Sequence, residues 1–335
     1  MRTILNRIYE GNYLTEPETY NIFQSIMSGE INDIQLSAIL IALKIRGESE
    51  NEIMGAIRAC LKYMKPFPKP NYMFSDIVGT GGDSSNSINI STASALVGAT
   101  CGLKIVKHCN TNISSKTGSY DLLKEFDINI NISNNESQKM LNKLNICFLF
   151  APQYHVSFKR VVLVRKILHT KTLFNILGPL LNPSQPPLSV IGVYNVKLML
   201  PIANILKKLN NHRAIIVCSD HTDEITLHAP THITELKNSK ISSYILHPKN
   251  FGVNYHDKNA ILGGTPKENY EIIKNVFQGK GPIAISETIA ANVAVLLKLF
   301  GNENLKENTK YALQTIYSGK VYETIIALSK CSRGL

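Results

Sequence analysis

The sequence predicts an α/β protein in which a small all-helical domain precedes a larger α/β domain with a mainly parallel central sheet and flanking helices. Residues 1–65 carry only helix-period apolar patterns, whereas from Phe74 onward short apolar runs alternate with helical ones. The stretch Ser75–Glu125 holds two successive units that each pass from an apolar strand through a polar Gly- or Ser-rich loop into a helix.

Taken in order, Thr15-Glu16-Pro17-Glu18 starts a helix, with Thr15 as N-cap and Pro17 in the first turn. Ile22, Phe23, Ile26 and Met27 follow at helical spacing until Gly29. Ile34, Ala38, Ile41, Ala42 and Ile45 mark the next helix, ended by Gly47. Ile53, Ile57, Cys60, Leu61 and Met64 mark another, closed by Pro66, Pro68 and Pro70. These apolar stripes are expected to pack a core, with a dimer face as a second use. A domain boundary is therefore placed after residue 66, with the α/β domain starting at residue 70.

In the first strand–loop–helix unit, Asp76-Ile77-Val78 leads into Gly79-Thr80-Gly81-Gly82-Asp83, and a helix opens near Asn89-Ile90-Ser91-Thr92. In the second, Leu103-Lys104-Ile105-Val106 leads into Lys107-His108-Cys109-Asn110, with Ser114-Ser115 ahead of a helix through Leu122-Leu123. Asn145–Phe150 reads as a buried strand, Pro152–Leu168 as a helix, and Thr172–Pro187 as a proline-rich return. Strands at Val190–Tyr194 and Ala214–Cys218 flank a helix around Leu198–Leu209, short β pieces follow from Thr231 to Tyr255, and helical patterns finish the chain.

The 335 residues, 44% hydrophobic and 18% charged, describe a globular chain with material for a sizeable core. The net charge of +11 is scattered without like-charge blocks; a compositionally basic solvated surface, a nucleic-acid surface and a preference for anionic substrates all fit it. Cys60, Cys101, Cys109, Cys147, Cys218 and Cys331 form no C-x-x-C pair, so free thiols in a reducing compartment fit better than disulfides or zinc. There is no signal-peptide apolar region in MRTILNRIYEG and no run long enough to span a membrane, so a cytoplasmic location is expected.

Helix N-termini carry unpaired N–H groups and a partial positive charge, so they suit phosphate. Two of them close together point to a ligand with more than one phosphate. The glycine-rich loop is neither a Walker A loop, since no Gly-Lys-Ser/Thr follows, nor a dinucleotide fingerprint, since the pattern fails at Ser84. Lys107 at a strand end would aim a point charge at the same crevice. His108 fits a structural role as well as a catalytic one. Ser114, Ser115, Thr117, Gly118 and Ser119 offer hydroxyls and backbone donors at a helix start. The adjacent carboxylates Asp223-Glu224 could hold Mg²⁺, which takes one or two carboxylates together with substrate phosphate.

DIVGTGGD, NIST, KHxN, SSKTGS, FLFAPQYH, the Arg165 helix, TLFNILGPLLNP, the Asp-Glu pair and Ala291-Asn292 occur here in one order and spacing. In this combination the chain resembles the anthranilate phosphoribosyltransferase family over essentially its full length. The resemblance implies that residues near 165–183 join the helical domain, leaving 70–164 and 184–335 to the α/β domain. It implies a homodimer formed through the helical domain. It also implies transfer of the phosphoribosyl group of phosphoribosyl pyrophosphate (PRPP) to the amino group of anthranilate, a step of tryptophan biosynthesis. By the same resemblance Gly79, Gly82, Asp83, Ser87, Asn89, Ile90, Ser91, Thr92, Lys107, His108, Ser114, Ser115 and Ser119 match PRPP-binding positions. Asn110 and Arg165 match contacts to anthranilate, where a guanidinium suits a carboxylate. Ser91, Asp223 and Glu224 match ligands of Mg²⁺, with two ions expected per subunit, and Lys107, Asp223 and Glu224 are the expected catalytic residues.

The chain departs from the family pattern at Cys109 and Thr111, where Gly and Arg are usual, at Tyr120 and Asp127 (Ala and Gly), and at His221-Thr222 (Gly-Leu). Weakened but retained PRPP binding is expected from the first two. A pyrimidine nucleoside phosphorylase would carry Lys-His-Ser-Thr-Gly-Gly in the first unit, which is absent. A catalytically weakened relative that binds nucleic acid would have no need of Asp223-Glu224, Arg165 and NIST.

Overall fold

Helix caps act where the residues place them. The N-terminal helices are α1 (Arg2–Tyr9), α2 (Glu16–Ser28), α3 (Asp33–Arg46) and α4 (Glu50–Tyr63). Thr15, Asn32 and Ser49 close capping boxes on α2, α3 and α4, with Glu18, Gln35 and Glu52 reaching back to them. Gly29 ends α2 at φ 87°, a left-handed conformation open to glycine. The computed structural model describes residues 2–83, 85–110 and 118–335, so Thr111, Ser114 and Ser115 lie outside the described residues.

From β1 (Ser75–Gly79) the chain runs through α5 (Ile90–Thr100), β2 (Ile105–Cys109), α6 (Ser119–Glu125) and α7 (Asn134–Leu144) to β3 (Ile146–Phe150). Short helices α8 (Ala151–Tyr154), α9 (Lys159–Leu168) and α10 (Leu173–Leu177) follow, then β4 (Leu188–Gly192), α11 (Met199–Lys208) and β5 (Arg213–Ser219). β6 (Thr231–Lys237) and β7 (Lys240–Leu246) form a hairpin, and α12 (Pro266–Phe277), α13 (Ile283–Leu299), α14 (Leu305–Tyr317) and α15 (Lys320–Ser332) complete the chain.

Two compact units result, Met1–Phe67 with Ala151–Gln185, and Pro68–Phe150 with Pro186–Leu335. The return to the helical unit begins at Ala151, earlier than the expected start near Arg165. The contacts of residues 151–164 explain the shift. The Lys65 N–H donates to Tyr154 O (2.9 Å), Arg160 pairs with Asp33 (2.8 Å), and the Phe158 ring meets that of Phe174 at 5.3 Å. The single helix expected over Pro152–Leu168 is interrupted. His155 leaves the helical conformation (φ −108°, ψ 58°), and its ring Nε2 lies 2.9 Å from Leu181 O.

The helical unit also corrects the assignment of faces on α3. Its core side is Leu36, Ile39, Leu40 and Leu43. The stripe Ile34, Ala38, Ile41, Ala42 and Ile45 is not the buried one, and Ile34 and Ile45 are 83% and 80% exposed. A helix apolar on both sides gives no periodic signal as to which side is inside.

In the larger unit one sheet runs in the order β3-β2-β1-β4-β5-β6-β7. Pairings from β3 across to β5 are parallel, and those of β5 with β6 and β6 with β7 are antiparallel. Thus β1 and β4 are neighbours whose connections leave toward opposite edges. This is the switch point beyond whose carboxyl ends open α/β sheets form a crevice. Against the sheet pack α5 and α13, both buried over most of their length. Among the described residues no helix is long and apolar enough to cross a membrane.

Candidate active site

Residues at the carboxyl ends of β1, β4 and β5 meet at the switch point, and the acidic pair organises them. Beyond β5, Ser219 and Thr222 exchange backbone hydrogen bonds (3.1 and 2.8 Å), closing a two-residue turn in which Asp220 and His221 have φ of 46° and 62°. The turn points Asp223 back over the sheet. Asp223 Oδ2 accepts from the Gly81 N–H at 2.6 Å, and Glu224 Oε1 accepts from the Ser91 N–H at 3.1 Å. Glu224 therefore supplies the cap of α5 from 133 residues away. Asn89, just ahead of α5, makes no side-chain cap bond; its Oδ1 accepts from Asn269 Nδ2 at 3.4 Å.

Glycines make this approach possible. A Cβ on Gly79 would lie 2.2 Å from Asp223 Oδ2, and one on Gly192 would lie 1.5 Å from Asp223 O. The sequence gives no sign of this role for Gly192, which falls in the middle of the strand expected over Val190–Tyr194. Gly263 was missed too: a Cβ there would meet Asn269 Oδ1 at 2.5 Å, and its N–H donates to Asn86 O at 2.8 Å. The Gly263-Gly264 pair was the available signal. Through it the segment before α12 lies along the loop that carries Ser87, which bridges to Leu262.

Three carboxylates share the crevice. Burial and then the Asp83 charge hold the Asp223 carboxyl up at about 7, while burial followed by Asp223 and Asp83 pushes Glu224 well above the ordinary range. Asp83 Oδ2 and Glu224 Oε2 are buried with no hydrogen-bond partner. Buried acceptor oxygens facing like charge are a costly arrangement that a cation would relieve. Among the described residues no group of three or more His, Cys, Asp or Glu side chains is disposed to hold a metal on its own. The donors suit an ion shared with water and phosphate.

Lys107 differs from its expected placement. Its ammonium does not stand open in the crevice; the residue is 1% exposed, and Nζ donates to Ile77 O at 2.5 Å and to Ser91 Oγ at 3.4 Å. There it acts as a counter-charge to Glu224 from beneath. Ile90 is also wholly buried, with its N–H donating to Ile88 O (2.7 Å), so neither its side chain nor its amide is free for a ligand. Thr92 Oγ1 donates to Ser119 Oγ at 2.9 Å, which brings the start of α5 against the start of α6. The two helix starts are therefore adjacent. Gly81 and Gly82 have φ of 66° and 74°, and Asp83 Oδ1 accepts from the Ser85 N–H at 3.2 Å. The side chain of His108 is half-buried, its backbone N–H donates to Asp76 Oδ2 (3.4 Å), and Asn110 is exposed.

Several departures from the family pattern now have physical explanations. Cys109 is the last residue of β2, has no positive φ and is buried. Its extended backbone makes no demand for glycine, and burial pushes its thiol up to about 12, which leaves it unreactive. Asp127 and His221 do occupy positive φ (58° and 62°), which explains the usual glycines there. Tyr120 stacks on Phe150 with ring centroids 4.9 Å apart.

In the helical unit, Arg165 is half-buried without a carboxylate partner among the described residues. One of its terminal nitrogens donates to Asn175 Oδ1 at 3.0 Å, its Nε is unpartnered, and burial lowers its pKa to about 10, so it stays charged at neutral pH. A half-buried guanidinium without a counter-ion suits an anionic, planar group.

The fold is that of a two-unit protein, one unit helical and one α/β, whose α/β unit sets helix starts suited to phosphate at its crevice. Residues 71–322 match the family model described as "Glycosyl transferase family, a/b domain", and residues 2–64 match the "helical bundle domain" of the same family. The chain is 78% identical over 330 residues to the anthranilate phosphoribosyltransferase of Buchnera aphidicola subsp. Melaphis rhois, covering 98% of this chain and 100% of that one. Among solved structures, the Saccharomyces cerevisiae anthranilate phosphoribosyltransferase in complex with PRPP and Mg is similar at 28% identity with a TM-score of 0.87 (96% of this chain, 94% of that one). The same yeast enzyme in complex with 4-fluoroanthranilate matches at 27% identity with a TM-score of 0.88 (100% and 99%). The chain belongs to the anthranilate phosphoribosyltransferase family.

Proposed function

We infer that this chain transfers the phosphoribosyl group of PRPP to the amino group of anthranilate, giving N-(5-phosphoribosyl)anthranilate and pyrophosphate in tryptophan biosynthesis. The observation that carries it is the pair of unpartnered buried carboxylate oxygens, one on Asp83 and one on Glu224, the latter held at the start of α5. The alternatives of a nucleoside phosphorylase and a nucleic-acid binder have no such support.

Asp223, Glu224 and Ser91 would hold Mg²⁺, with two ions per subunit, and bound Mg²⁺ would offset the charge that grows on departing pyrophosphate. The chain's own residues do the rest. Gly79, Gly81 and Gly82 let the backbone approach the donor closely, and Lys107 orients Ser91 while balancing the buried acids. Thr92 and Ser119 hold two helix starts side by side for the phosphates. Arg165 receives the anthranilate carboxylate. As the bond from ribose C1 to pyrophosphate breaks, the neutral amine forms its bond to C1 and passes a proton to the departing pyrophosphate. No protein nucleophile is required. Orientation of the two substrates can contribute about 7–11 kcal/mol in favourable systems.

The test follows the loss of anthranilate fluorescence with PRPP, with and without Mg²⁺. Consumption only when all three are present is the expected result. Turnover of a nucleoside with phosphate, or salt-sensitive DNA binding without anthranilate consumption, would replace this assignment.

The homodimer is proposed to form through the helical unit. In support, Ile34 and Ile45 on α3 stand exposed, as do Leu163 (60%) and Ile167 (78%) on α9, and Arg160 ties α9 to Asp33 at the start of α3. A protein carrying both Ile34→Glu and Ile167→Glu is expected to be a folded monomer by light scattering where the parent chain is a dimer. A monomeric parent chain would refute the proposal.

A further inference from the structure

We propose that Asn292 is a positioning residue for the Asp223-Glu224 pair, acting through the backbone of Ile225; the inference rests on the proposed role of that pair in holding Mg²⁺. Asn292 lies in α13 within the apolar run IAANVAVLL, where it is 2% exposed. A carboxamide there incurs a desolvation cost that aliphatic neighbours do not, so its bonding partners matter. Its Oδ1 accepts from the Ile225 N–H at 3.2 Å, and its Nδ2 donates to Ile225 O at 2.8 Å and to Thr288 O at 2.9 Å. One amide thus reads both backbone groups of a single residue, the residue that follows Glu224. The bond to Thr288 O fixes the orientation of that amide on its own helix.

The other supports of the acidic loop leave this contact a distinct task. Ser219 Oγ and Thr226 Oγ1, 2.7 Å apart, close the base of the loop, and Gly79 and Gly192 leave room beneath Asp223. Neither restrains rotation of the peptide that follows Glu224. Asn292 does, and that peptide's orientation sets where the Glu224 carboxylate can point. Second-layer groups that orient metal ligands typically alter metal affinity by about 10–100-fold when removed.

The experiment compares the parent chain with Asn292→Leu and with Asn292→Asp, which keeps the shape and the acceptor oxygen while losing the amide donor to Ile225 O and Thr288 O. Calorimetric titration of Mg²⁺ in the presence of PRPP and without anthranilate is the primary readout. Asn292→Leu should weaken Mg²⁺ binding at least about tenfold. In turnover assays it should raise the Mg²⁺ half-saturation concentration similarly, leave the KM for anthranilate within about twofold, and recover most of its kcat at excess Mg²⁺. Should Asn292→Leu fail to fold, Asn292→Asp gives the same comparison with a smaller expected weakening. Lowered melting temperature with unchanged Mg²⁺ affinity in a folded variant would make Asn292 merely structural and overturn the inference. A parent chain that binds no Mg²⁺ with PRPP would instead overturn the magnesium assignment, and this inference with it.

Discussion

Replacing Asp223 by Asn together with Glu224 by Gln is expected to abolish Mg²⁺-dependent consumption of anthranilate while leaving the fold intact. The amide replacements keep the carbonyl oxygens that accept from the Gly81 and Ser91 N–H groups, so the loop retains its anchors. What they remove is charge. Burial and then the Asp83 charge raise the Asp223 pKa, and burial followed by Asp223 and Asp83 raises that of Glu224, so without a cation these charges oppose folding. The double variant should therefore melt at a higher temperature than the parent chain in the absence of Mg²⁺, and it should lose the additional stabilisation that Mg²⁺ with PRPP gives the parent chain. Circular dichroism melts with and without Mg²⁺ and PRPP, beside the fluorescence assay, check both halves. Full activity of the double variant would sink the metal assignment.

Gly192→Ala should be nearly as damaging, although Gly192 carries no functional group. Its added Cβ would meet the Asp223 carbonyl oxygen at 1.5 Å and the carbonyl carbon at 2.4 Å. Both are backbone atoms, so no rotamer change relieves the overlap. Either β4 or the acidic loop must move. β4 is paired on both sides, with β1 and with β5, so the loop is the element that yields. A displacement of about 1 Å in a group that positions reacting atoms can cost about 100-fold in rate. The expected result is a fall in kcat/KM of about that size, with the helix and sheet content by circular dichroism unchanged. Parent-like kinetics would show that the close approach of Asp223 to the sheet is dispensable.

How much of this was legible beforehand depends on the range of the interaction. The capping box at Thr15 and the positive-φ glycine at 29 are settled within a few residues, and they formed where local chemistry placed them. The two strand–loop–helix units were visible for the same reason. On α3 the sequence does not tell core from exposed stripe, because the helix is apolar on both faces and only its neighbours distinguish them. His155 broke an otherwise continuous helical period by bonding to Leu181, a partner 26 residues on. In the site, Asp223 and Glu224 were evident as an acidic pair, but their partners were not. Gly192 read as strand, and Lys107 read as an open charge where it is a buried counter-ion.

By itself the sequence determined the fold class, the two phosphate-type helix starts and, through its motifs, the family. These follow from periodicity, caps and residue types in fixed order, each encoded over a short span. Only the tertiary structure decided that Glu224 caps α5, that Asp223 rests over Gly79 and Gly192, that Thr92 joins Ser119, and that Cys109 needs no glycine backbone. Those facts depend on which strands are neighbours in the sheet. With β1 beside β4 at the switch point, residues more than a hundred positions apart come within hydrogen-bonding distance, and no local pattern records that distance.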